Sequence, residues 1–333
     1  MKIFVSVPKG SEVMDTFLAE DVRKYLEERF EVSYSPLERQ LKKEEIPLYA
    51  RDADVIMTGW GHTRIDAEAL ENTSVKLIAH TGGTVAAYVA PDVYGKGIRI
   101  ISGNELYAES VAEGVLAYMF TALRKIPDYV GSCRNGGWGM DLLPTEGLLG
   151  QKVGIIGMGA ISKRVIKLLQ PFGVRLKIFS HHAIDPEFLR ENNAVQVTLE
   201  EIFSTCRIVS LHSAKNARTI GMIGKEHFDL MQEGAVFINT ARGAIVREDE
   251  MTECLREKRF RAMLDVYCQD PLAADSELRK MENVYCMPHV AGPTRDRRPV
   301  ITKRLADDIL RFAKGEALEL EISAEYAARM TID

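Results

Sequence analysis

The chain has 333 residues, more than one typical domain holds, which points to two. Hydrophobic residues at 46% and charged residues at 27% describe an ordinary globular composition, and a formal net charge of -5 supplies no overall basic field for nucleic acid. No stretch approaches the ~18 apolar residues of a membrane span, and the opening residues 1–7 read as a strand, not as a signal peptide.

The first hundred residues alternate short apolar runs with amphipathic segments. Strands are expected at 3–7, 31–34, 55–58, 77–79 and 98–101. One helix is expected at 13–30, with Phe17, Leu18, Val22, Tyr25 and Leu26 at three-to-four spacing. That rhythm belongs to an α/β domain with a parallel sheet. A long helix at 107–125 and a loop carrying Gly136, Gly137, Trp138 and Gly139 follow, and Leu149-Gly150 leads into the next strand. A second alternation then begins, with strands at 175–180, 208–211, 235–239, 262–266 and 284–287 and helices at 199–204, 225–230 and 248–259. A second long helix at 295–313 precedes a polar tail. The five cysteines, at 133, 206, 254, 268 and 286, are scattered with no C-x-x-C, which argues for reduced thiols in a cytoplasmic protein over a disulfide framework or a zinc site.

The expected architecture is two doubly wound parallel-sheet domains. One, 106–295, binds a dinucleotide and is inserted in the other, a substrate domain of 1–105 plus 296–333. A cleft between two such sheets is a natural ligand site.

The stretch around which the rest is arranged is Lys152-Val-Gly-Ile-Ile-Gly157-Met-Gly159-Ala-Ile-Ser162. A strand, a Gly-x-Gly turn and a helix give the dinucleotide fingerprint its meaning. Gly157 takes the sharp turn, Gly159 lets a pyrophosphate approach the backbone, and the helix start offers free N–H groups. Ser162 stands at the third fingerprint position, so the match is imperfect. At the end of the next strand, where an NAD site carries an acid for the ribose, stands Ser180 followed by His181 and His182. No carboxylate there repels a 2′-phosphate, so NADP is permitted. The plainer alternative is a pair of exposed loop histidines.

Three later strand ends carry candidate chemistry. Arg242 in Asn239-Thr-Ala-Arg-Gly243 could hold a carboxylate by two parallel hydrogen bonds, or form a surface salt bridge. Asp265 and Asp270 lie in Asp265-Val-Tyr-Cys-Gln-Asp270-Pro271, and each alone reads as a turn or capping residue. His289 follows the last strand in Met287-Pro-His-Val-Ala-Gly292. An Asp–His pair is the usual device for proton transfer near neutral pH.

Together these motifs, with Leu264-Asp-Val-Tyr, resemble the D-isomer-specific 2-hydroxyacid dehydrogenase family (the formate, glycerate and phosphoglycerate dehydrogenase type) over nearly the whole chain. The resemblance implies hydride transfer between NAD or NADP and a small 2-keto or D-2-hydroxy acid, in a Rossmann domain inserted in a flavodoxin-like one. It implies that Arg242 orients the substrate carboxylate and that His289 exchanges the hydroxyl proton beside Asp270. The family usually has glutamate at that acid, so the shorter Asp270 raises the expectation of a contact that needs a closed cleft. It also implies that Asp265 meets the nicotinamide amide and that Ser110 to Glu113 opens a helix beside the cofactor. The cofactor-binding set it implies is Gly157, Gly159, Ala160, Ile161, Ser180, His181, Leu211, His212, Thr240, Ala241, Asp265 and Gly292. Backbone N–H groups of Thr81-Gly82-Gly83-Thr84 would receive the substrate carboxylate, with Trp60 and Tyr107 as pocket neighbours. Thr84 departs from the family's usual glycine, and Ala214 from its usual proline after His212. A homodimer through the fingerprint domain, no metal and no separate C-terminal regulatory domain complete the expectation. The rival readings are a nucleotide-sensing, corepressor-like binding protein and a formate-type dehydrogenase. The latter typically pairs glutamine with its histidine.

Overall fold

A computed structural model of the chain, which describes residues 1–138 and 145–332, gathers into two compact units. Unit 1 is Met1–Tyr107 with Pro293–Asp333, and unit 2 is Ala108–Gly292. Of the glycine loop expected near 136–139, Gly139 lies outside the described residues.

Unit 1 holds β1 (Lys2–Val5), β2 (Glu31–Tyr34), β3 (Val55–Thr58), β4 (Leu77–His80) and β5 (Arg99–Ser102), all parallel, in the order β2-β1-β3-β4-β5. That is the flavodoxin-like order. Ile3 and Val5 enter one core with Val22, Leu26 and Leu305, while Phe4 between them enters a second with Ile56, Ile78 and Ile100. Strands buried on both faces have to be apolar throughout, which is why they stand out in the sequence.

Unit 2 holds β6 (Lys152–Ile156), β7 (Arg175–Phe179), β8 (Ala194–Gln196), β9 (Ile208–Leu211), β10 (Val236–Asn239), β11 (Arg261–Leu264) and β12 (Val284–Cys286). Their order is β12-β11-β10-β9-β6-β7-β8, so the chain winds outward in both directions from β6, as in a Rossmann fold. Val153 and Ile155 face one core and Ile156 the other.

Three expectations need correction. The helix expected at 13–30 is two helices, Glu12–Thr16 and α1 (Glu20–Glu27). Phe17 and Leu18 are both 0% exposed, and neighbours in one helix point roughly 100° apart. The extended turn at Ala19 (ψ 162°) lets both reach the core. The long helix is α2 (Asn104–Arg124), and a further helix, α3 (Ile126–Arg134), follows where a loop was expected. Lys125 at φ 51° separates the two, and Pro127 sits in the first turn of α3, where its missing N–H costs nothing. The polar tail after α4 (Arg298–Lys314) is docked, with Leu320, Ile322, Ala327 and Met330 buried.

Candidate active site

Because the seven strands of unit 2 are parallel, their carboxyl ends share one edge, where open α/β sheets receive ligands. After β6 the chain turns at Gly157, φ 98°. A Cβ there would lie 2.7 to 2.8 Å from the N, Cα and Oγ of Ser213, so glycine alone lets this turn lie against the one after β9. Gly159 caps the helix Ala160–Leu169 without a side-chain bond, and a Cβ on it would meet nothing within 4 Å. The N–H groups that Ala160 and Ile161 bring to the helix start are therefore open to a phosphate. Ser162, 0% exposed, donates its hydroxyl to the Gly157 carbonyl at 2.8 Å, so the departure from glycine braces the turn from behind.

At the end of β7, Ser180 Oγ accepts the His182 N–H at 3.2 Å, and the Gln196 amide closes the loop on the Ser180 and His182 carbonyls at 3.2 and 2.9 Å. His181 and His182 are exposed, the former edge-on to Phe179 at 5.1 Å. Leu211 ends β9 in the core. The next residue, His212, is buried with Nε2 2.9 Å from Ser210 Oγ, and burial pushes its imidazole down to about 3, so it is neutral. His212 Nδ1 and the nearby Thr240 Oγ1 are buried with no partner among the described residues. Buried polar atoms are nearly always paired, so two unpaired ones on adjacent strand ends fit a polar ligand laid across them. The turn open at Gly159 and these atoms suit a dinucleotide.

Further along the edge, Asn239 organises the loop after β10. Its Oδ1 accepts the Ala241 N–H at 3.0 Å and its Nδ2 donates to the Arg242 carbonyl at 3.2 Å. The Arg242 guanidinium donates to the Ala241 carbonyl at 2.8 Å. A Cβ on Gly243 would sit 1.9 to 2.3 Å from the Tyr267 carbonyl group and Cys268 N, so this glycine lets the loops after β10 and β11 press together. Arg242 is thereby carried to the segment that holds Asp265 and Asp270.

His289, after β12, has φ 55°, an uncommon conformation for a side chain with a Cβ. Asp265 holds it there. This carboxylate, 1% exposed, accepts the Val290 and Ala291 N–H groups at 2.9 Å each and the Tyr118 hydroxyl at 2.8 Å. Burial beside that carboxylate drives the Tyr118 hydroxyl well above the usual phenol range. The structure therefore places both Asp265 oxygens beneath the His289 loop. His289 Nδ1 lies 3.1 Å from Asp270 Oδ2, with side chains 52% and 37% exposed. The shorter acid reaches its histidine within unit 2 itself. The sequence alone does not point to Tyr118 or Asn239 as site residues. Asn239 lay inside a quoted motif, whereas nothing local marks Tyr118.

In unit 1 the strand ends carry the loop Thr81–Thr84. The Gly103 N–H donates to the Gly82 carbonyl at 3.0 Å, and Ser102 Oγ to the Gly83 carbonyl at 3.1 Å. The N–H and C=O of a planar trans peptide point oppositely. The N–H groups of Gly83 and Thr84 are thus turned away from those partners, and neither has an acceptor among the described residues. Two adjacent free N–H groups make a concavity suited to a carboxylate. Under this loop, His80 Nδ1 meets Thr58 Oγ1 and His62 Nε2 meets Ser6 Oγ, both at 2.8 Å. Burial pushes the two imidazoles down to about 3 and about 4. Trp60 and Tyr107 stand edge to face, 6.3 Å apart. The Arg298 guanidinium lies 5.0 Å over Trp60 and pairs with Glu12 at 2.7 Å.

A family model described as D-isomer specific 2-hydroxyacid dehydrogenase, NAD binding domain, matches residues 116–291, more than half of the chain. The D-3-phosphoglycerate dehydrogenase of Methanocaldococcus jannaschii is 29% identical over 306 residues, covering 91% of this chain and 57% of that protein. The glyoxylate reductase of Korarchaeum cryptofilum is 27% identical over 297 residues, covering 87% and 89%. The solved structure of a phosphoglycerate oxidoreductase from Rhizobium etli shares the fold at a TM-score of 0.80 with 20% identity, covering 98% of each chain. The chain spans 57% and 58% of the length of the two archaeal phosphoglycerate dehydrogenases it matches. In sheet order and in the family match alike, the chain belongs to the D-isomer specific 2-hydroxyacid dehydrogenase family.

Proposed function

We propose that the chain is an NAD(P)-dependent oxidoreductase that interconverts a small 2-keto acid and the corresponding D-2-hydroxy acid. The observation that carries this reading is the set Arg242, Asp270 and His289 on the same sheet edge as the Gly157 turn, with His289 Nδ1 3.1 Å from Asp270. Nδ1 bonded to the carboxylate leaves Nε2 as the group that gives a proton to the substrate oxygen in reduction and takes it back in oxidation. The Arg242 guanidinium is suited to hold the substrate carboxylate in a bidentate pair, and within unit 1 the free Gly83 and Thr84 N–H groups are likewise suited to a carboxylate. Bound nicotinamide supplies or accepts the hydride. The dehydrogenase and reductase names of the relatives favour the enzyme over a nucleotide sensor.

The cofactor reading is that NADPH is accepted as well as NADH. Ser180 uses a lone pair on the His182 N–H, which leaves its own proton to donate to a phosphate oxygen, and no acid stands at that strand end. The assembly reading is a homodimer through unit 2, supported by apolar Ile126 and Val130, one turn apart on α3 and exposed with Trp138. All five thiols are free, in keeping with a cytoplasmic setting, and no helix among the described residues is long and apolar enough to cross a membrane. Steady-state kinetics of Arg242→Ala test the assignment. KM for the keto acid rises strongly and kcat falls, and kinetics equal to the parent's would remove Arg242 from the site.

A further inference from the structure

Thr84 stands in the carboxylate-receiving loop, and its hydroxyl is engaged elsewhere: Oγ1 donates to the carbonyl of Thr331 at 2.9 Å, 247 residues away in sequence. Residue 331 lies at the end of a continuous run of bonds along the edge strand β5. After α4 the chain reverses at Gly315, φ 70°. The buried carboxylate of Asp308, 1% exposed, then gathers the Glu319 and Leu320 N–H groups at 3.0 and 2.7 Å. Leu320 accepts the Ser102 N–H at 3.1 Å, and the Ile322 N–H donates to Ile100 at 2.8 Å. Between them Glu321 takes a bidentate pair from Arg99, 2.6 Å on each side. Ser323 caps the short helix Ala324–Ala327, and the Tyr326 hydroxyl accepts from Asn104 at 3.0 Å.

Two of these bonds converge on the loop. Ser102, whose N–H is held by Leu320, is the residue whose hydroxyl fixes the Gly83 carbonyl, and Thr331 receives the Thr84 side chain. Open hollows of about 280 and 460 Å³ lie beside the segment where it crosses β5, and Glu321, Ile322 and Ser323 line both. Buried Leu320, Ile322, Ala327 and Met330 anchor the segment in the cores of unit 1, and the named bonds set its register along β5.

We propose that residues 316–332 form a strap that sets the shape of the Gly82–Thr84 loop, with Thr84 as the positioning residue that couples the two. Glycine at this position has no side chain to make the tie, so the chain's departure from the family's usual residue is what creates it. The proposal rests on the reading of that loop as the receiver of the substrate carboxylate. Its consequence is that the strap tunes affinity for the 2-keto acid and leaves the proton-transfer step to His289.

The test compares the parent with Thr84→Val, which keeps the shape and removes the donor, and Thr84→Ser, which keeps the donor. Loss of one neutral hydrogen bond should raise KM for glyoxylate about fivefold in Thr84→Val, with kcat changed less than twofold. Thr84→Ser should recover most of the loss. Amide hydrogen exchange, which needs no turnover, should quicken in Thr84→Val at Ser102 and Gly103, whose N–H groups bond Leu320 and Gly82, and at 328–330. An unchanged KM, an equal rise in both variants, or unchanged exchange at 102–103 would overturn the strap. Should the parent reduce no keto acid, the functional reading fails, and the strap is then judged on exchange at 102–103 alone.

Discussion

The Asp265→Asn substitution separates two roles for one carboxylate. In the resemblance that acid meets the nicotinamide. In the structure both its oxygens are occupied by the Val290 and Ala291 N–H groups and the Tyr118 hydroxyl, at 2.8 to 2.9 Å and 1% exposure. An asparagine has one acceptor oxygen. Its best orientation keeps that oxygen on Val290 and Tyr118 and turns its NH2 toward the Ala291 N–H, which is left buried without an acceptor. That orphan costs about 1–3 kcal/mol, and loss of charge assistance at the other two bonds about 1 kcal/mol more. The sum is on the order of 3 kcal/mol, or roughly 6–12 °C in the Tm of a unit of this length. Tyr118→Phe, which removes one donor, should cost only about 1 kcal/mol. Calorimetry of both variants, with nucleotide affinity by titration, makes the comparison. Asp265→Asn should lose stability and kcat, because the bonds that hold His289 at φ 55° are weakened, while Kd for the nucleotide changes little. Unchanged Tm with sharply weaker nucleotide binding would refute the placement of this carboxylate beneath His289.

Two further outcomes follow from packing and burial. Gly243→Ala places a Cβ 1.9 Å from the Tyr267 carbonyl carbon, so the loops after β10 and β11 separate. Overpacking of this kind costs about 1–3 kcal/mol, and denaturant unfolding should show that loss together with reduced kcat/KM; wild-type values for both would contradict the close approach. Burial lowers the imidazoles of His62 to about 4 and of His80 and His212 to about 3. Below pH ~6.5 the unfolded chain takes up protons that the folded chain refuses, so this stability is complete near pH 7 and is lost as pH falls toward 4. Each histidine contributes a slope of about 1.4 kcal/mol per pH unit in that window. Urea titrations at pH 7 and pH 5 should differ by several kcal/mol, less so in His62→Gln, and identical curves would mean that these rings are not held neutral.

Much of this was legible because the relevant chemistry is local in sequence. Strands such as Val55–Thr58, buried on both faces, must be apolar at every position, and a turn after each strand puts Gly157, Arg242 and His289 on one edge. What escaped was set by distant partners. Asp265 looks like a ligand contact until Tyr118, 147 residues earlier, is seen on it. The tail looks polar because Leu320, Ile322, Ala327 and Met330 are spread among charges at no regular period, and only β5 gives them a place to bury. A loop was expected after the long helix, yet with Lys125 at φ 51° the chain turns and Pro127 sits in the first turn of a new helix. Asp270 illustrates the reverse case. The shorter side chain raised the expectation of a contact that needs a closed cleft, and within unit 2 the two side chains already lie 3.1 Å apart.

The proposed role of His289, exchange of a proton in a nicotinamide-linked reduction of a 2-keto acid, is tested by initial-rate oxidation of NADH and of NADPH against glyoxylate, hydroxypyruvate and pyruvate, with His289→Ala in parallel. The parent should turn over with both nucleotides, and kcat should fall on the order of 10²–10⁴ in the variant with nucleotide binding retained. Clear nucleotide binding with no turnover of any acid, or full turnover without the imidazole, would contradict that role.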